Sequence, residues 1–289
     1  HVINMLTGIN LKTFNSDSSS ISFDDIKAFY NSFYYPKNMI LMISGDFNVG
    51  HAKILIEKHF GNWKNRKKTK YTNKLVSQKS NGIQVRFIDS PDLSKPYIRF
   101  AMPAVSVKNQ DFLAFYSAFH IVGKGRNSRI YNSINSIIGD WEEHYWSGYA
   151  WERTYNYFMY QYKSSYTNID KVYELIISEF KSIGQNNIIT DELELVKKKE
   201  IGSTILEFES PRNWNRWVLN ELNAGSSIDK IVNWTRNLQT VSLKEVNDAG
   251  KKYWDHENFY LIVYGNKDST ETFLNQFENV EYYQEQQTD

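Results

Sequence analysis

The stretch FYYPKNMILMISGD at residues 33–46 has an echo, YWDHENFYLIVYGN, at residues 253–266. Sliding the chain by 220 residues pairs Ser22 with Ser242, Tyr34 with Trp254, Asn38 with Asn258 and Gly45 with Gly265, without a gap. Each copy makes the same local prediction. Ser22 with Asp25, and Ser242 with Glu245, place a hydroxyl at a helix N-cap and a carboxylate three residues on, so each satisfies backbone N–H groups that the helix start leaves orphaned. The helix ends in an aromatic pair. An apolar strand follows at residues 39–44 and 259–264, stopped by Gly and then Asp or Asn, residues suited to a turn. A second helix closes each unit, through Ala52, Leu55, Ile56, His59 and Phe60 in one copy and Phe273, Leu274 and Phe277 in the other.

One helix–strand–helix unit repeated at a domain-sized interval predicts two related domains, each ending in this unit. The first-domain counterpart of Val85 would then fall roughly 135 residues before His1. The expected division is a C-terminal remnant of a first α+β domain at 1–64, a linker at 65–84, a complete second α+β domain at 85–280 and a polar tail at 281–289, the whole being part of a longer protein. Residues 1–21, ending in Ser-Asp-Ser-Ser-Ser, read as an irregular loop. The basic run Lys64-Asn-Arg-Lys-Lys-Thr-Lys70 lies in a Lys/Asn/Thr/Ser-rich stretch and reads as a solvated linker.

With 41% apolar and 16% aromatic residues the chain has ample material for packed cores. Its 34 basic and 33 acidic residues nearly cancel, so no bulk field draws a nucleic acid or an anionic membrane surface. No apolar run approaches the roughly 18 residues of a membrane span. Cysteine is absent, which excludes disulfides, thiolate metal sites and cysteine nucleophiles, and leans toward an exported protein of the bacterial periplasm or cell envelope.

The second domain reads as strands, helices, strands, helices, strand, helix. Residues 84–89 (QVRFID) alternate, and residues 97–102 form an apolar run before Pro103. Residues 111–122 and 128–138 each place apolar side chains on one helical face and stop at Gly123 and Gly139. From 143 to 162 the helical period gives way to aromatic residues that suit two antiparallel strands joined near 152–154. Helices follow at 170–183, from Thr190, at about 213–223 and at about 228–238. The predicted fold class is α+β, an antiparallel sheet packed with helices.

Recognised chemistry is sparse. Among His1, His51, His59, His120, His144 and His256 no H-x-x-H, H-x-x-E-H or H-E-x-x-H spacing occurs, so no helical face offers zinc two imidazoles one turn apart. His59 and His120 sit on apolar helix faces and read as packing residues. Glu142 and His144 would share one side of a strand, two ligands where a metal site needs a third. Gly123-Lys-Gly125 reads as a tight turn between helices that requires positive φ.

The segment at residues 29–63, helix, FY..YY-P-x-N, apolar strand, S-G-D and a helix ending H-F-G-x-W, resembles the end of the first domain in the insulinase/pitrilysin family of zinc metallopeptidases, which includes the mitochondrial processing peptidase subunits. The segment Gly123-Lys-Gly-Arg-Asn-Ser-Arg-Ile-Tyr131 is similar to that family's glycine-rich segment followed by S-R-L-Y. Glu192-Leu-Glu-Leu-Val-Lys and residues 254–265 also match in place. The resemblance implies two similar α+β domains forming a chamber around an unfolded peptide, with this chain as the non-catalytic C-terminal portion. Zinc is expected in a parent protein or partner if either is active, and not in this chain. The implied partners are unfolded peptide and a metal-bearing domain or paired subunit, with no nucleic acid and no membrane span. In the family an Arg and a Tyr seven residues apart assist at the scissile bond. Counting from Ser128 places them at Asn135 and Glu142, which favours the alternative of a catalytically dead member acting as a scaffold or assembly subunit. The candidate substrate-binding residues are Arg129, Asn135, Glu142, His144 and Trp146, with the aromatic strands at 144–162 lining the chamber. A carbohydrate- or peptide-binding module, suggested by aromatic content alone, is a third reading.

Overall fold

The computed structural model describes residues 2–7, 21–65, 77–138, 145–152 and 155–284. Six strands form one sheet: β1 (Gln84–Asp89), β2 (Tyr97–Pro103), β3 (Tyr145–Trp151), β4 (Asn156–Lys163), β5 (Tyr260–Gly265) and β6 (Val280–Gln284). Their order across the sheet is β3-β4-β2-β5-β1-β6. The four strands β3, β4, β2 and β5 pair antiparallel, as the aromatic alternation predicts. The opposite side differs: β1 runs parallel to both β5 and β6. The crossover from β5 to β6 returns the chain in the same direction, and β1 slots between them, so the sheet is mixed.

Side chains alternate across the sheet because successive strand residues point to opposite faces. Val85, Phe87, Ile98, Phe100, Met102, Phe158, Tyr160, Tyr162, Leu261 and Val263 point into the main core. Ile88, Ala101, Tyr157, Tyr260 and Ile262 point to the other face. There they meet α1 (Val2–Thr7), whose Leu6 is fully buried. The expectation of an irregular loop over residues 1–21 is corrected for residues 2–7, while residues 8–20 lie outside the described residues. Ile3, Met5 and Leu6 give a short segment enough apolar surface to cover the sheet, and the Gln78 N–H ties it down by donating to the Leu6 carbonyl at 2.8 Å.

The repeat's first copy follows as α2 (Phe23–Phe33) and α3 (Val49–Phe60). Its predicted strand at 39–44 forms no ladder among the described residues, and Met39, Ile40, Leu41 and Ile43 are exposed. A β-strand is stabilised by its neighbours, and none lies beside this one.

The main core is closed by α4 (Phe112–Gly123), α5 (Arg129–Ile138), α6 (Ile169–Ile183), α7 (Thr190–Glu207), α8 (Pro211–Ala224), α9 (Ile228–Val232), α10 (Trp234–Gln239), α11 (Leu243–Tyr253) and α12 (Lys267–Leu274). Helix α4 is apolar on every side, as a helix must be when it is enclosed, and packs against α5, α7 and α11. Aromatic rings fill the space beneath it: Phe119 stacks on Tyr160 at 5.4 Å, and Phe100 meets Phe180 edge-on at 5.6 Å. The helix expected near 228–238 is broken in two, α9 and α10, at Asn233.

Strand β6 lies partly in the stretch expected to be a polar tail. Its alternation holds it to β1: Tyr282 meets Phe87 edge-on at 5.8 Å, while on the opposite face Tyr283 lies under the Arg86 guanidinium at 4.5 Å. Arg86 also pairs with Glu281 at 2.7 Å. Glu281, the charged residue of this strand, is therefore part of its pairing.

Candidate functional site

The glycine-rich segment leaves α4 at Gly123 and enters α5 at Arg129. Gly125 adopts φ +82°, and a Cβ there would stand 2.9 Å from the Lys199 ammonium, so both conformation and space favour glycine. Ser128 closes the turn by donating from its hydroxyl to the Gly125 carbonyl at 2.8 Å. Lys124 reaches sideways and donates to the Ser147 carbonyl of β3 at 3.2 Å. Burial pushes its ammonium below the ordinary lysine range, with Glu200 opposing and Lys199 adding to the shift. The turn is thereby fastened to the end strand of the sheet.

Arg129 is held in a fork. Its Nε and Nη2 donate to the two carboxylate oxygens of Glu192 at 2.6 and 2.7 Å, while Nη1 and Nη2 reach the Asn187 side chain and carbonyl, both at 2.9 Å. Burial raises the Glu192 pKa, but the Arg129 hydrogen bond, the Ile189 N–H and the Arg129 charge outweigh it, and the carboxyl lies below its ordinary value. The pair joins the start of α5 to the start of α7. Bidentate geometry of this kind fixes orientation as well as charge.

Asn135 is exposed on α5. Trp146 is 48% exposed on β3, and its ring folds back over Gly148, where a Cβ would stand within 2.3 Å of it. Arg129, placed among the substrate contacts by sequence, has its guanidinium occupied by Glu192 and Asn187. Glu142 and His144 lie outside the described residues.

Beneath the turn lies a cluster that sequence reading passed over. Tyr116 donates to Glu200 Oε2 at 2.6 Å, and Glu200 Oε1 is 3.0 Å from His120 Nδ1. Tyr149 meets Tyr116 edge-on at 5.7 Å. Burial pushes His120 below its ordinary value, against the pull of Glu200, so the imidazole is neutral at pH 7. Burial also opposes ionisation of Glu200, but the adjacent His120 and the hydrogen bond from Tyr116 keep its carboxyl below the ordinary range. The signal was in the helix period: Leu193, Val196 and Lys197 are buried on α7, and one more step of that stripe lands on Glu200. The cluster binds α4 to α7 under the glycine turn. Among the described residues no three His, Asp or Glu side chains converge, so the donors present do not fit a zinc ion.

Residues 20–200 match the family described as Peptidase M16 inactive domain. The chain is 25% identical over 122 residues to the zinc protease PqqE of Helicobacter pylori, a match that covers 42% of this chain and 28% of that protein. The structure of a peptidase M16 inactive domain from Pseudomonas fluorescens superposes with a TM-score of 0.77 at 16% identity, covering 92% of this chain and 64% of that one. A protease from H. pylori gives 0.75 at 16% identity, covering 85% and 60%. The first half of the periplasmic protease PqqL from Escherichia coli gives 0.65 at 13% identity, covering 88% and 57%. The chain thus spans less than two thirds of the length of each of these relatives. At such identities the superpositions concern the fold, whereas the family match covers more than half of the sequence. The chain belongs to the peptidase M16 inactive domain family, the C-terminal, non-catalytic portion of insulinase-type zinc peptidases.

Proposed function

We propose that this non-catalytic domain helps to enclose and bind unfolded peptide inside a zinc-metalloendopeptidase-like protein, by adding the peptide as a strand beside β3. The observation that carries this reading is the position of β3. It is one of the two end strands of the sheet, β6 being the other, and pairs only with β4 among the described residues. An end strand offers unpaired backbone groups that hold extended peptide of varied sequence. Trp146 supplies an exposed ring beside them, and Lys124 with the glycine turn braces the strand. Metal chemistry would come from a parent domain or paired subunit carrying the zinc. The exposed apolar residues of 21–60 are suited to meet such a domain. The division into a first-domain remnant (1–64), a linker (65–84) and a second domain (85–280) is part of this proposal. So is a periplasmic or cell-envelope location, which the absence of cysteine and the periplasmic E. coli relative support.

The alternative, a scaffold or assembly subunit, has its own observation: Asn135 and Glu142 stand where the family resemblance expects an Arg and a Tyr. One experiment separates the two. Fluorescence anisotropy of a labelled unfolded peptide should show saturable binding, weakened about fivefold in Trp146→Ala by loss of a ring contact worth roughly 1 kcal/mol. No binding to the wild type would leave the scaffold reading. Zinc in the full-length protein tests the metal-bearing partner.

A further inference from the structure

The helical side of the domain holds a cavity of about 400 Å³ between the start of α4, the end of α8 and helices α9 and α10. Its wall includes the rings of Phe112 and Trp234, whose centroids are 6.2 Å apart. Among its polar lining residues Glu221 stands out, because it is only 3% exposed. A carboxylate withdrawn from water this far normally has a cation of its own chain beside it. Glu221 has none among the described residues. Lys230 lines the same cavity, but its ammonium donates to the carbonyls of Val107 and Lys108, both at 3.2 Å. Lys108 is laid across Gly225, where an added Cβ would stand 2.3 Å from its Cε. Glu245 is bound to the Ser242 N–H and hydroxyl as part of the α11 cap. Glu221 is left with a hydrogen bond to Ser226, and burial lifts its carboxyl to about 6. The carboxyl therefore lies against aromatic walls with no ammonium paired to it among the described residues, the Lys230 ammonium of the same cavity being turned to the carbonyls of Val107 and Lys108.

We propose that this cavity is a binding site for a primary ammonium carried on an apolar stem, with Glu221 as the counter-ion and Phe112 and Trp234 contacting the stem. The volume falls in the range of sites that enclose small ligands. Aromatic faces favour a cation and its alkyl chain, and a buried carboxylate discriminates an ammonium from a neutral group of the same shape. The same chemistry has two sources, a free alkylamine or a lysine side chain on a peptide. This inference does not rest on peptide addition at β3, although Phe112 also meets Trp151 of that strand edge-on at 5.7 Å.

Isothermal titration calorimetry at pH 7 tests it with n-hexylamine against n-hexanol, and with N-acetyl-lysine amide against N-acetyl-norleucine amide. Hexylamine is expected to bind at least about tenfold more tightly than hexanol, a difference of 1.4 kcal/mol. Glu221→Gln should abolish that preference while circular dichroism shows the fold retained. Binding of the lysine amide as well would identify a side-chain pocket, and binding of hexylamine alone a small-molecule one. Equal binding of hexylamine and hexanol, no binding of either amine, or an undiminished preference in Glu221→Gln would overturn the proposal. The hexanol comparison needs no variant, so it stands if Glu221→Gln fails to fold.

Discussion

Residues 22–60 and 242–274 carry the same instructions and meet different fates. Both open on a formed capping box: the Asp25 N–H donates to Ser22 Oγ at 3.1 Å, and the Glu245 N–H to Ser242 Oγ at 3.2 Å. Both reach an apolar run after an aromatic pair. In the second copy that run becomes β5, between β1 and β2, with Leu261, Ile262 and Val263 fully buried. In the first, Leu41 at the matching position is 58% exposed and no strand pairs with it among the described residues. Helices and caps follow from local sequence, whereas a strand takes shape only where other strands flank it.

The repeat aligns two leucines, which makes the largest predicted effect a matched one. Leu261→Ala should destabilise the sheet domain by about 2–5 kcal/mol, the range for truncating a buried leucine, and Leu41→Ala should shift the same transition by less than about 0.5 kcal/mol. Urea denaturation followed by tryptophan fluorescence measures both. Equal losses would break the comparison, because they would mean that residues 39–44 are covered in solution. A dependence of the Leu41→Ala effect on protein concentration would then identify the cover as a second copy of the chain.

Much of the sheet was legible beforehand, though not the different fates of the two copies. QVRFID marked β1 to the residue, and the aromatic hairpin of β3 and β4 was legible as well, because β-branched and aromatic residues are the ones that suit a pleated surface packed on a core. The parallel pairing of β1 with β5 and β6 was not, since strand direction depends on crossovers that link distant segments. Segments α1 and β6 were missed because they are short, polar at their ends and stabilised by the sheet they join. At the candidate sites, sequence placed the glycine turn but not the groups beneath it. It placed Arg129 among the candidate substrate contacts but could not show Glu192 and Asn187, 63 and 58 residues away, closing around it. Glu221 continues the face of α8 that carries Trp214, Trp217 and Val218, and only the fold shows that this face ends in a cavity.

The same distinction between partnered and unpartnered groups separates two buried carboxylates and predicts a smaller effect. Glu200 has His120 and Tyr116 and is held below its ordinary value, so its contribution to stability is present above that value and is lost as pH falls through the folded one. Glu221 lacks a cation and is pushed up from 4.5 to about 6, so the folded chain keeps a proton that the unfolded chain has released. Its contribution is present below pH 4.5 and is lost as pH rises through 6. The loss is about 2 kcal/mol, from 1.5 pH units at 1.36 kcal/mol each. Glu221→Gln should therefore gain on the wild type by about that amount between pH 4.5 and 7, read as the difference between their urea midpoints. A difference that stays flat with pH would show that the Glu221 carboxyl is solvated.

The smallest expected effect addresses whether the two copies belong to one cooperative unit. Ser22→Ala and Ser242→Ala each remove a cap of the same geometry, and a lost serine cap costs about 1 kcal/mol locally. Helix α11 packs against α4 and α6, so the Ser242→Ala loss should be transmitted to the global transition nearly in full. Helix α2 buries no side chain. Its 11 residues are near the limit at which a helix holds without packing, so Ser22→Ala should speed amide exchange along α2 and leave the global midpoint within about 0.3 kcal/mol of the wild type. Should both substitutions lower the midpoint equally, residues 21–65 would have to unfold together with the sheet. The Ser44 hydroxyl, which donates to the Pro211 carbonyl at 3.3 Å, would then mark a coupled interface where the buried areas predict independence.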